Sequence, residues 1–333
     1  MTRFLSNRAK NTTPYTPGEQ PLKKNIIKLN TNENPYPPSP SVLNIINDFK
    51  YNNLKLYPTP HVNELRTKTG DIYNLPSDMV FCGNGSDEVL AFIFMAFTNP
   101  NSNVYISNIT YGFYEVYANI FDTNILEIPL NNNFTINTLA YKNLQGVILI
   151  ANPNAPTGLT INEQQIKGIL QNNPNALVII DEAYIDFSCI ISCVNLCNNY
   201  DNLIVVQTMS KSRGLAGIRI GFAFGNKSLI QGLERIKFSI NPYNINSLSN
   251  QVAIASLNDT AYFNETLEKI IKTREATSLS LRKLGFFVTD SQANFLFVSH
   301  NKISAKEIYE KLYNSNIITR YFNKQLINIA NFI

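Results

Sequence analysis

Short apolar runs alternate with segments of helical hydrophobic spacing through the middle of the chain. Runs rich in Val, Ile and Leu predict strands over residues 79–82, 103–107, 124–128, 146–150, 176–180, 203–206 and 220–224. Apolar residues at helical spacing predict helices over 39–49, 62–73, 89–94, 111–120 and 163–171. This alternation predicts an α/β fold with a large, doubly wound and mostly parallel sheet.

The two ends of the chain differ from this middle part. Residues 1–40 are rich in Pro, Asn and Thr and predict an extended arm. After a polar turn at 241–246, a helical stretch runs to Leu284, and extended segments over 286–298 and 317–321 flank a helix over 304–314. We therefore predict three parts: an N-terminal arm that joins the small domain (1–40), a large domain (41–245) and a smaller α+β domain (246–333).

A glycine-rich turn follows the first predicted strand of the large domain. It reads Gly83-Asn84-Gly85-Ser86-Asp87-Glu88 and leads directly into a helix. The free N–H groups and the dipole of a helix start attract an anion, so this turn is a candidate phosphate site. The alternative is an ordinary strand-to-helix turn with Ser86 as the N-cap.

A second polar turn follows the strand over 203–206 and carries Lys211. A lysine at the end of a buried strand suits Schiff-base chemistry, because burial lowers the pKa of the amine. Ser210 and Arg219 offer a hydroxyl and a guanidinium, which suit a phosphate. Together they suggest pyridoxal phosphate (PLP), whereas a surface turn with ordinary charges is the alternative. Asp181-Glu182-Ala183-Tyr184 ends the neighbouring predicted strand, at the sheet edge where ligands bind in such folds.

Composition and charge exclude several other classes of protein. The chain has 333 residues, 44% hydrophobic and 16% charged, which is enough for one large and one small domain. A net charge of +4 without a basic run gives no support for nucleic-acid binding. No apolar run approaches the roughly 20 residues of a membrane span. The first ten residues lack the apolar core of a secretory signal, so we expect a cytoplasmic protein.

The cysteines and histidines give no support for a metal site. Three of the four cysteines (Cys189, Cys193 and Cys197) are spaced four residues apart and could share one helix face. However, no fourth ligand lies nearby in the sequence, and the only histidines are His61 and His300. We therefore expect reduced thiols and no bound metal.

Several motifs, in this order along the chain, resemble the fold-type-I PLP-dependent aminotransferases, and among them the histidinol-phosphate aminotransferases. The resemblance runs from the segment that begins at Tyr15 to Arg320. Its most specific segments are Leu29-Asn-Thr-Asn-Glu-Asn-Pro-Tyr-Pro-Pro, Gly83-Asn-Gly-Ser-Asp-Glu, Asp181-Glu-Ala-Tyr and Ser210-Lys-Ser-Arg-Gly-Leu-Ala-Gly-Ile-Arg. The resemblance implies the fold type I, with PLP as cofactor.

The resemblance also implies roles for the residues around the cofactor ring. Lys211 would form the Schiff base and then carry a proton between the substrate and the cofactor. Asp181 would pair with the pyridine nitrogen and keep the ring protonated. Tyr184 would donate a hydrogen bond to the phenolate oxygen, and Tyr111 would stack on the ring face.

The resemblance assigns two further groups of residues. Those implied for the phosphate are Gly85, Ser86, Asp87, Ser210 and Arg219, together with Tyr57 from a neighbouring subunit, which implies a homodimer with shared active sites. Those implied for the substrate are Tyr15, Asn32, Tyr243, Asn244 and Arg320. Four of the substrate residues (Tyr15, Asn32, Tyr243 and Asn244) could equally be ordinary turn residues.

Two features of the chain depart from the family pattern. The family has an asparagine directly before Pro-Thr-Gly that contacts the phenolate oxygen, whereas this chain has Ala155, so Asn154 or Asn152 would have to take that contact. The family also continues with a strand that opens with an arginine for the substrate carboxylate, whereas this chain stops at Ile333. We therefore expect a truncated small domain with an unpaired sheet edge.

The resemblance implies an aminotransferase of histidine biosynthesis. It would move the amino group between L-histidinol phosphate and 2-oxoglutarate, giving imidazole acetol phosphate and L-glutamate. The alternatives are a threonine-phosphate decarboxylase or an aromatic aminotransferase on the same scaffold. A further alternative is a catalytically impaired PLP-binding protein, because the terminal arginine is missing.

Overall fold

A seven-stranded sheet forms the centre of the computed structural model, which describes residues 2–21, 25–322 and 331–333. Its strands are β2 (Val80–Gly83), β3 (Asn103–Ser107), β4 (Asn124–Ile128), β5 (Gly146–Ala151), β6 (Ala176–Asp181), β7 (Leu203–Thr208) and β8 (Gly221–Gly225). The strand order is β2-β8-β7-β6-β5-β3-β4. Strand β8 is antiparallel to both neighbours and the other pairs are parallel, which confirms the predicted α/β fold with a mostly parallel sheet.

Alternate residues of the central strands enter two different hydrophobic cores. In β6, Val178 and Ile180 belong to the core on one face, and Ile179 belongs to the core on the other. Side chains alternate between the faces of a strand, so an unbroken apolar run fills both cores at once. The buried run therefore places its polar end, Asp181, at the edge of a rigid sheet.

Helices cover both faces of the sheet, as the doubly wound prediction requires. The helices before and within this part are α1 (Asn7–Asn11), α2 (Pro40–Asn47), α3 (Asn63–Ile72), α4 (Gly85–Phe97), α5 (Phe113–Ile120), α6 (Glu163–Asn172) and α7 (Lys227–Ile240). One core takes residues from α4, α5 and α7, and the other takes residues from α2, α3 and α6. Helix α7 lies where no helix was predicted, and the short helix α1 lies within the predicted extended arm.

The C-terminal part contains helices and short strands. The predicted helical stretch is two helices, α8 (Ser247–Asn258) and α9 (Thr260–Lys283), because Asp259 ends the first and caps the second by accepting a hydrogen bond from the Tyr262 N–H. Helix α8 packs against α2 and α3. The remaining elements are β9 (Phe286–Val288), β10 (Val298–His300), α10 (Ala305–Asn314) and β11 (Ile317–Ile318). The division into three domains stays a prediction.

The arm and the last residues both pair with strands of the C-terminal part. Strand β1 (Ile27–Lys28) is parallel to β11, with Ile27 opposite Ile317. Ile333 exchanges two backbone hydrogen bonds with Val298, and Phe332 stacks on Phe297 with ring centroids 4.1 Å apart. The last residues therefore pair with β10, whereas we expected an unpaired sheet edge in the small domain. Over the described ranges, no helix has the length and apolar character needed to cross a bilayer.

Candidate active site

Lys211 lies in the turn after β7 and points towards the N-terminal arm. Its Nζ donates a hydrogen bond to the carbonyl oxygen of Thr31 at 2.9 Å. The same amine lies 5.6 Å from the centre of the Tyr184 ring. Two carbonyl groups in the turn itself, those of Lys211 and Ser212, accept hydrogen bonds from Nδ2 of Asn34 at 3.1 and 2.9 Å. The arm therefore fixes both the amine and the backbone of the lysine turn.

Asp181 ends β6, next to the strand that leads to Lys211. Its carboxylate is buried, and burial raises the pKa of this group from the ordinary value of 3.8 to about 6. Oδ2 accepts a hydrogen bond from the Tyr114 hydroxyl at 2.7 Å, and Oδ1 accepts one from the Ala183 N–H at 3.1 Å. These two donors act against the effect of burial and favour the ionised form. The site thus holds a buried carboxylate beside an amine-bearing turn.

Three further residues line the space near Lys211 and Asp181. The Tyr184 hydroxyl accepts a hydrogen bond from Nδ2 of Asn32 at 3.1 Å. The Tyr111 ring stands perpendicular to the Tyr114 ring at 5.5 Å, and Tyr15 from the arm lies 6.2 Å from Tyr111. Burial raises the pKa of Tyr111, so its hydroxyl stays protonated at neutral pH. Residues from the arm, α5 and two strand ends therefore meet at one edge of the sheet.

Arg219 lies at the start of α4, where the sequence predicts a phosphate site. Nη2 of Arg219 pairs with the Asp87 carboxylate at 2.9 Å, and Nη1 donates to Oγ of Ser210 at 3.4 Å. Ser86 lies between Gly85 and Asp87 in the first turn of this helix. The guanidinium therefore pairs with a carboxylate at the helix start, where the helix dipole also favours negative charge, and its role as a phosphate site stays a prediction.

Two glycines allow this close packing. Gly85 has φ +84°, and a Cβ there would lie 2.3 Å from Nη2 of Arg219. A Cβ on Gly221 in β8 would lie 2.4 Å from the backbone nitrogen of Ser86. The helix start therefore approaches both the arginine and the sheet at distances that exclude a side chain. Gly221 was not singled out from the sequence, because only the fold brings it to the helix start.

The other predicted site residues make different contacts. Tyr57 is 82% exposed, and its ring stacks on that of Tyr243 at 4.6 Å. The Asn244 amide is buried and donates to Oε2 of Glu88 at 2.6 Å. Arg320 follows β11 and is partly buried. No contact joins these four residues to Lys211 in the described part of the chain, and their roles stay predictions.

The asparagines beside Ala155 are engaged within their own loop. Nδ2 of Asn154 donates to the Ile109 carbonyl at 2.9 Å and to Oγ1 of Thr157 at 3.2 Å, so both its hydrogens have partners. The Asn152 side chain donates to the Ile161 carbonyl and accepts from the Ile161 N–H. A contact between Asn154 and a cofactor oxygen stays a prediction, and it would require one of these hydrogen bonds to be exchanged.

Sequence reasoning missed Tyr114, Thr31 and Asn34. Tyr114 lies three residues after Tyr111, and this spacing indicates that the two side chains lie on the same side at the helix start. The sequence has no corresponding signal for the contact of Tyr114 with Asp181. Thr31 contributes only its backbone, which no residue pattern reveals. Asn34 belonged to a motif that we noted without giving it a role.

Comparisons with known proteins agree with this geometry. The sequence profile of the family described as aminotransferase class I and II matches residues 24–327. A histidinol-phosphate aminotransferase of Brachyspira hyodysenteriae is 53% identical over 328 residues, covering 98% of this chain and 93% of that protein. The crystal structure of the histidinol-phosphate aminotransferase from Clostridium acetobutylicum is similar with a TM-score of 0.84 at 28% identity, covering 92% of each chain.

A third similar protein is the histidinol-phosphate aminotransferase from Sinorhizobium meliloti, solved in complex with pyridoxal-5'-phosphate. Its TM-score is 0.83 at 21% identity, and the match covers 92% of this chain and 84% of that chain. At this identity the likeness concerns the fold. Because the family profile matches nearly the whole chain, and a relative of more than half identity covers it almost completely, this chain belongs to the class I and II aminotransferases.

Proposed function

We propose that this protein transfers the amino group of L-histidinol phosphate to 2-oxoglutarate, producing imidazole acetol phosphate and L-glutamate for histidine biosynthesis. The observation that carries the proposal is the meeting of the Lys211 amine, the buried Asp181 carboxylate and the Arg219 anion site at one sheet edge. The similarity to histidinol-phosphate aminotransferases along nearly the full chain supports this choice of substrates.

The chemistry of the site fits PLP. Lys211 would hold the cofactor through its amine, and Arg219, Ser210 and the start of α4 would hold the phosphate. Asp181 would pair with the ring nitrogen, and the Tyr184 hydroxyl would donate a hydrogen bond to the phenolate oxygen. The packing around Gly85 tests this fit. The Arg219 guanidinium and the helix start lie close together there, and a Cβ on Gly85 would fill the space beside the guanidinium. A guanidinium at a helix start suits a phosphate.

Lys211 and Asp181 have different roles in the proposed reaction. When bound, PLP supplies an electron sink that stabilises the negative charge left at Cα of the amino substrate. The Lys211 amine removes the proton from that Cα, because a positioned amine can act as a general base. Asp181, kept ionised by Tyr114 and Ala183, favours a protonated ring nitrogen.

We infer that the remaining predicted residues bind the substrates. Arg320 would hold an anionic group, since a guanidinium binds phosphate or carboxylate with two donors. The contacts of Tyr15 with the rings of Tyr111 and Phe113 support this role. Asn32 is held by Asn294, whose Nδ2 donates to its carbonyl at 3.0 Å.

We further infer a homodimer and a cytoplasmic location. Several large apolar side chains are exposed in one region: Tyr51 is 76% exposed, Leu54 68% and Leu56 61%, next to Tyr57. A cluster of exposed apolar residues is typical of an interaction surface. Because Tyr57 is predicted to reach the active site of a neighbouring subunit, we infer that a second copy of this chain binds to this surface. All four cysteines are free thiols, which fits a reducing compartment.

An assay with three substrates tests the proposed function. Glutamate formation from L-histidinol phosphate and 2-oxoglutarate supports it, provided that L-histidinol without phosphate reacts at least about tenfold more slowly. Equal rates with and without the phosphate would favour an aromatic aminotransferase. Carbon dioxide released from O-phospho-L-threonine would favour a decarboxylase. A protein that takes up PLP, seen by its absorbance, but turns over none of these would be catalytically impaired.

Replacing Gly85 by alanine is expected to weaken PLP binding at least about tenfold. The added Cβ enters the space of the Arg219 guanidinium, and the positive φ strains any side chain, by roughly 1 kcal/mol. Absorbance titration of the cofactor-free protein with PLP measures the affinity. Gly168→Ala in α6 is the control, since a Cβ there meets nothing within 4 Å. Wild-type affinity in the Gly85 variant would refute the proposed phosphate site.

Coexpression of two inactive variants tests the shared active site. Lys211→Ala and Tyr57→Ala are each expected to have low activity. If Tyr57 serves the partner's site, each heterodimer has one intact site, and a random mixture recovers about a quarter of the sites. Activity assays on the differently tagged, purified heterodimer measure the recovery. The control heterodimer combines Lys211→Ala with the double variant that carries both substitutions, so that neither of its sites is intact. Activity no higher than in that control would argue against shared active sites.

A further inference from the structure

A buried tyrosine, Tyr114, is hydrogen-bonded to the carboxylate that we predict for the ring nitrogen. The Tyr114 side chain has no exposed surface, and its hydroxyl donates to Oδ2 of Asp181 at 2.7 Å. The two residues lie 67 positions apart in the sequence and on different elements, α5 and β6. This contact therefore joins helix α5, which begins two residues after Tyr111, to the strand end that carries Asp181.

The hydrogen bonds of Asp181 leave an acceptor position on each carboxylate oxygen. Oδ1 accepts from the backbone of Ala183 and Oδ2 accepts from Tyr114. Each carboxylate oxygen has two acceptor positions, so each keeps one position for a further donor. Because both known donors are fixed, one by the strand end and the other by a buried ring, they also fix the plane of the carboxylate.

The charges around Asp181 make the Tyr114 hydroxyl important for its ionisation. The pKa of Asp181 is raised to about 6, mainly by burial and to a smaller extent by the nearby Asp87 carboxylate. The Tyr114 and Ala183 donors lower it, and of these Tyr114 has the larger effect. The other titratable groups that act on Tyr114 are Tyr111 and Tyr184, both with raising effects on its pKa. Tyr114 thus stays protonated and able to donate.

The fold holds Tyr114 firmly in this position. Its ring lies in the core with Val104, Val147 and Ile179, residues of β3, β5 and β6. The perpendicular Tyr111 ring covers it at 5.5 Å. A hydroxyl this deep in an apolar core is costly without a partner, and Asp181 is the partner that the structure gives it.

We propose that Tyr114 is a positioning residue for the reaction, which holds the Asp181 carboxylate ionised and oriented for the ring nitrogen of the cofactor. The inference rests on the proposed function for its catalytic meaning, but the coupling between the two side chains belongs to the cofactor-free protein. The first turn of α5 and the residues just before it would therefore supply both the ring predicted to stack on the cofactor (Tyr111) and the donor to Asp181 (Tyr114).

Tyr114→Phe tests this proposal, with Tyr141→Phe as the matched control. Tyr141 is also fully buried, but its hydroxyl bonds to Ser107 at 3.0 Å instead of Asp181. In cofactor-free protein labelled with ¹³C at the aspartate carboxyls, the Asp181 titration should move to higher pH in Tyr114→Phe and stay unchanged in Tyr141→Phe. In the loaded enzyme, kcat should fall roughly 10- to 100-fold with less than about twofold change in KM, the loss expected when a supporting hydrogen bond is removed.

The two readouts separate this proposal from the proposed function. An unchanged Asp181 titration in Tyr114→Phe would overturn the inference, whatever the enzyme's substrate is. A shifted titration with the kcat of the Tyr141→Phe control would also overturn it, because the hydrogen bond would then have no role in catalysis. If wild-type protein does not turn over L-histidinol phosphate, the proposed function fails, while the titration still decides whether Tyr114 controls Asp181.

Discussion

Lys211→Ala is expected to lower the rate of transamination by at least about 10⁴-fold, because one amine both attaches the cofactor and moves the proton at Cα. Among the described residues, the Lys211 amine donates to the Thr31 carbonyl, whereas the neighbouring Lys28 amine is bound to the Thr31 hydroxyl and to Glu33. Glutamate formation under saturating substrates measures the loss, and the absorbance of bound PLP reports the missing attachment.

The matched control for this variant is Lys227→Ala. Lys227 is exposed at the start of α7 and pairs with Asp78 at 2.8 Å, a surface pair worth at most about 1 kcal/mol. The control should keep wild-type activity and the absorbance of the attached cofactor. If Lys211→Ala keeps more than about 1% of the activity, Lys211 is not the group that moves the proton.

Asp181→Asn is expected to stabilise the cofactor-free protein at neutral pH while lowering catalysis by about 10³-fold or more. The folded pKa of about 6 lies above the ordinary 3.8, so folding favours the protonated carboxyl. The stability that this group contributes is full below about pH 4, and it is lost as the pH rises through about 6. At pH 7.5, the ionised group lowers the free energy of unfolding by about 3 kcal/mol.

The asparagine variant avoids this loss because its side chain does not ionise. Urea unfolding of cofactor-free protein should show a gain of up to about 3 kcal/mol over wild type at pH 7.5 and no gain at pH 4. Asp201→Asn, an exposed position in the turn before β7, should show no such pH dependence. A variant that is less stable than wild type at both pH values would show that the hydrogen bonds of the carboxylate outweigh its burial.

The sheet was predictable because its signal is local. The strands over 103–107 and 124–128 have the predicted bounds, since each is a short apolar run between polar turns. Helix α7 could have been predicted as well: Leu229, Ile230 and Leu233 have helical spacing behind Asn226, which caps the helix. The break at Asp259 between α8 and α9 was less visible, because both flanking segments favour helix.

The candidate site was predictable only in part, because strand ends carry a signal and contacts between distant elements do not. Lys211 and Asp181 follow apolar runs, and a parallel sheet brings such ends together. The pairing of Tyr114 with Asp181 depends on how α5 packs on the sheet, which no residue pattern specifies. The contact of Thr31 with Lys211 spans 180 positions and uses a backbone group.

The pairing of β1 with β11 links completion of the site to a late step of folding. Ile27 and Ile317 are partners although almost the whole chain separates them, and such distant contacts form slowly because a long loop must close first. During synthesis, the seven-stranded sheet can form from residues 80–225 before residue 317 leaves the ribosome. Thr31 lies just after β1, so the segment whose carbonyl accepts a hydrogen bond from the Lys211 amine is also the segment that this late pairing anchors.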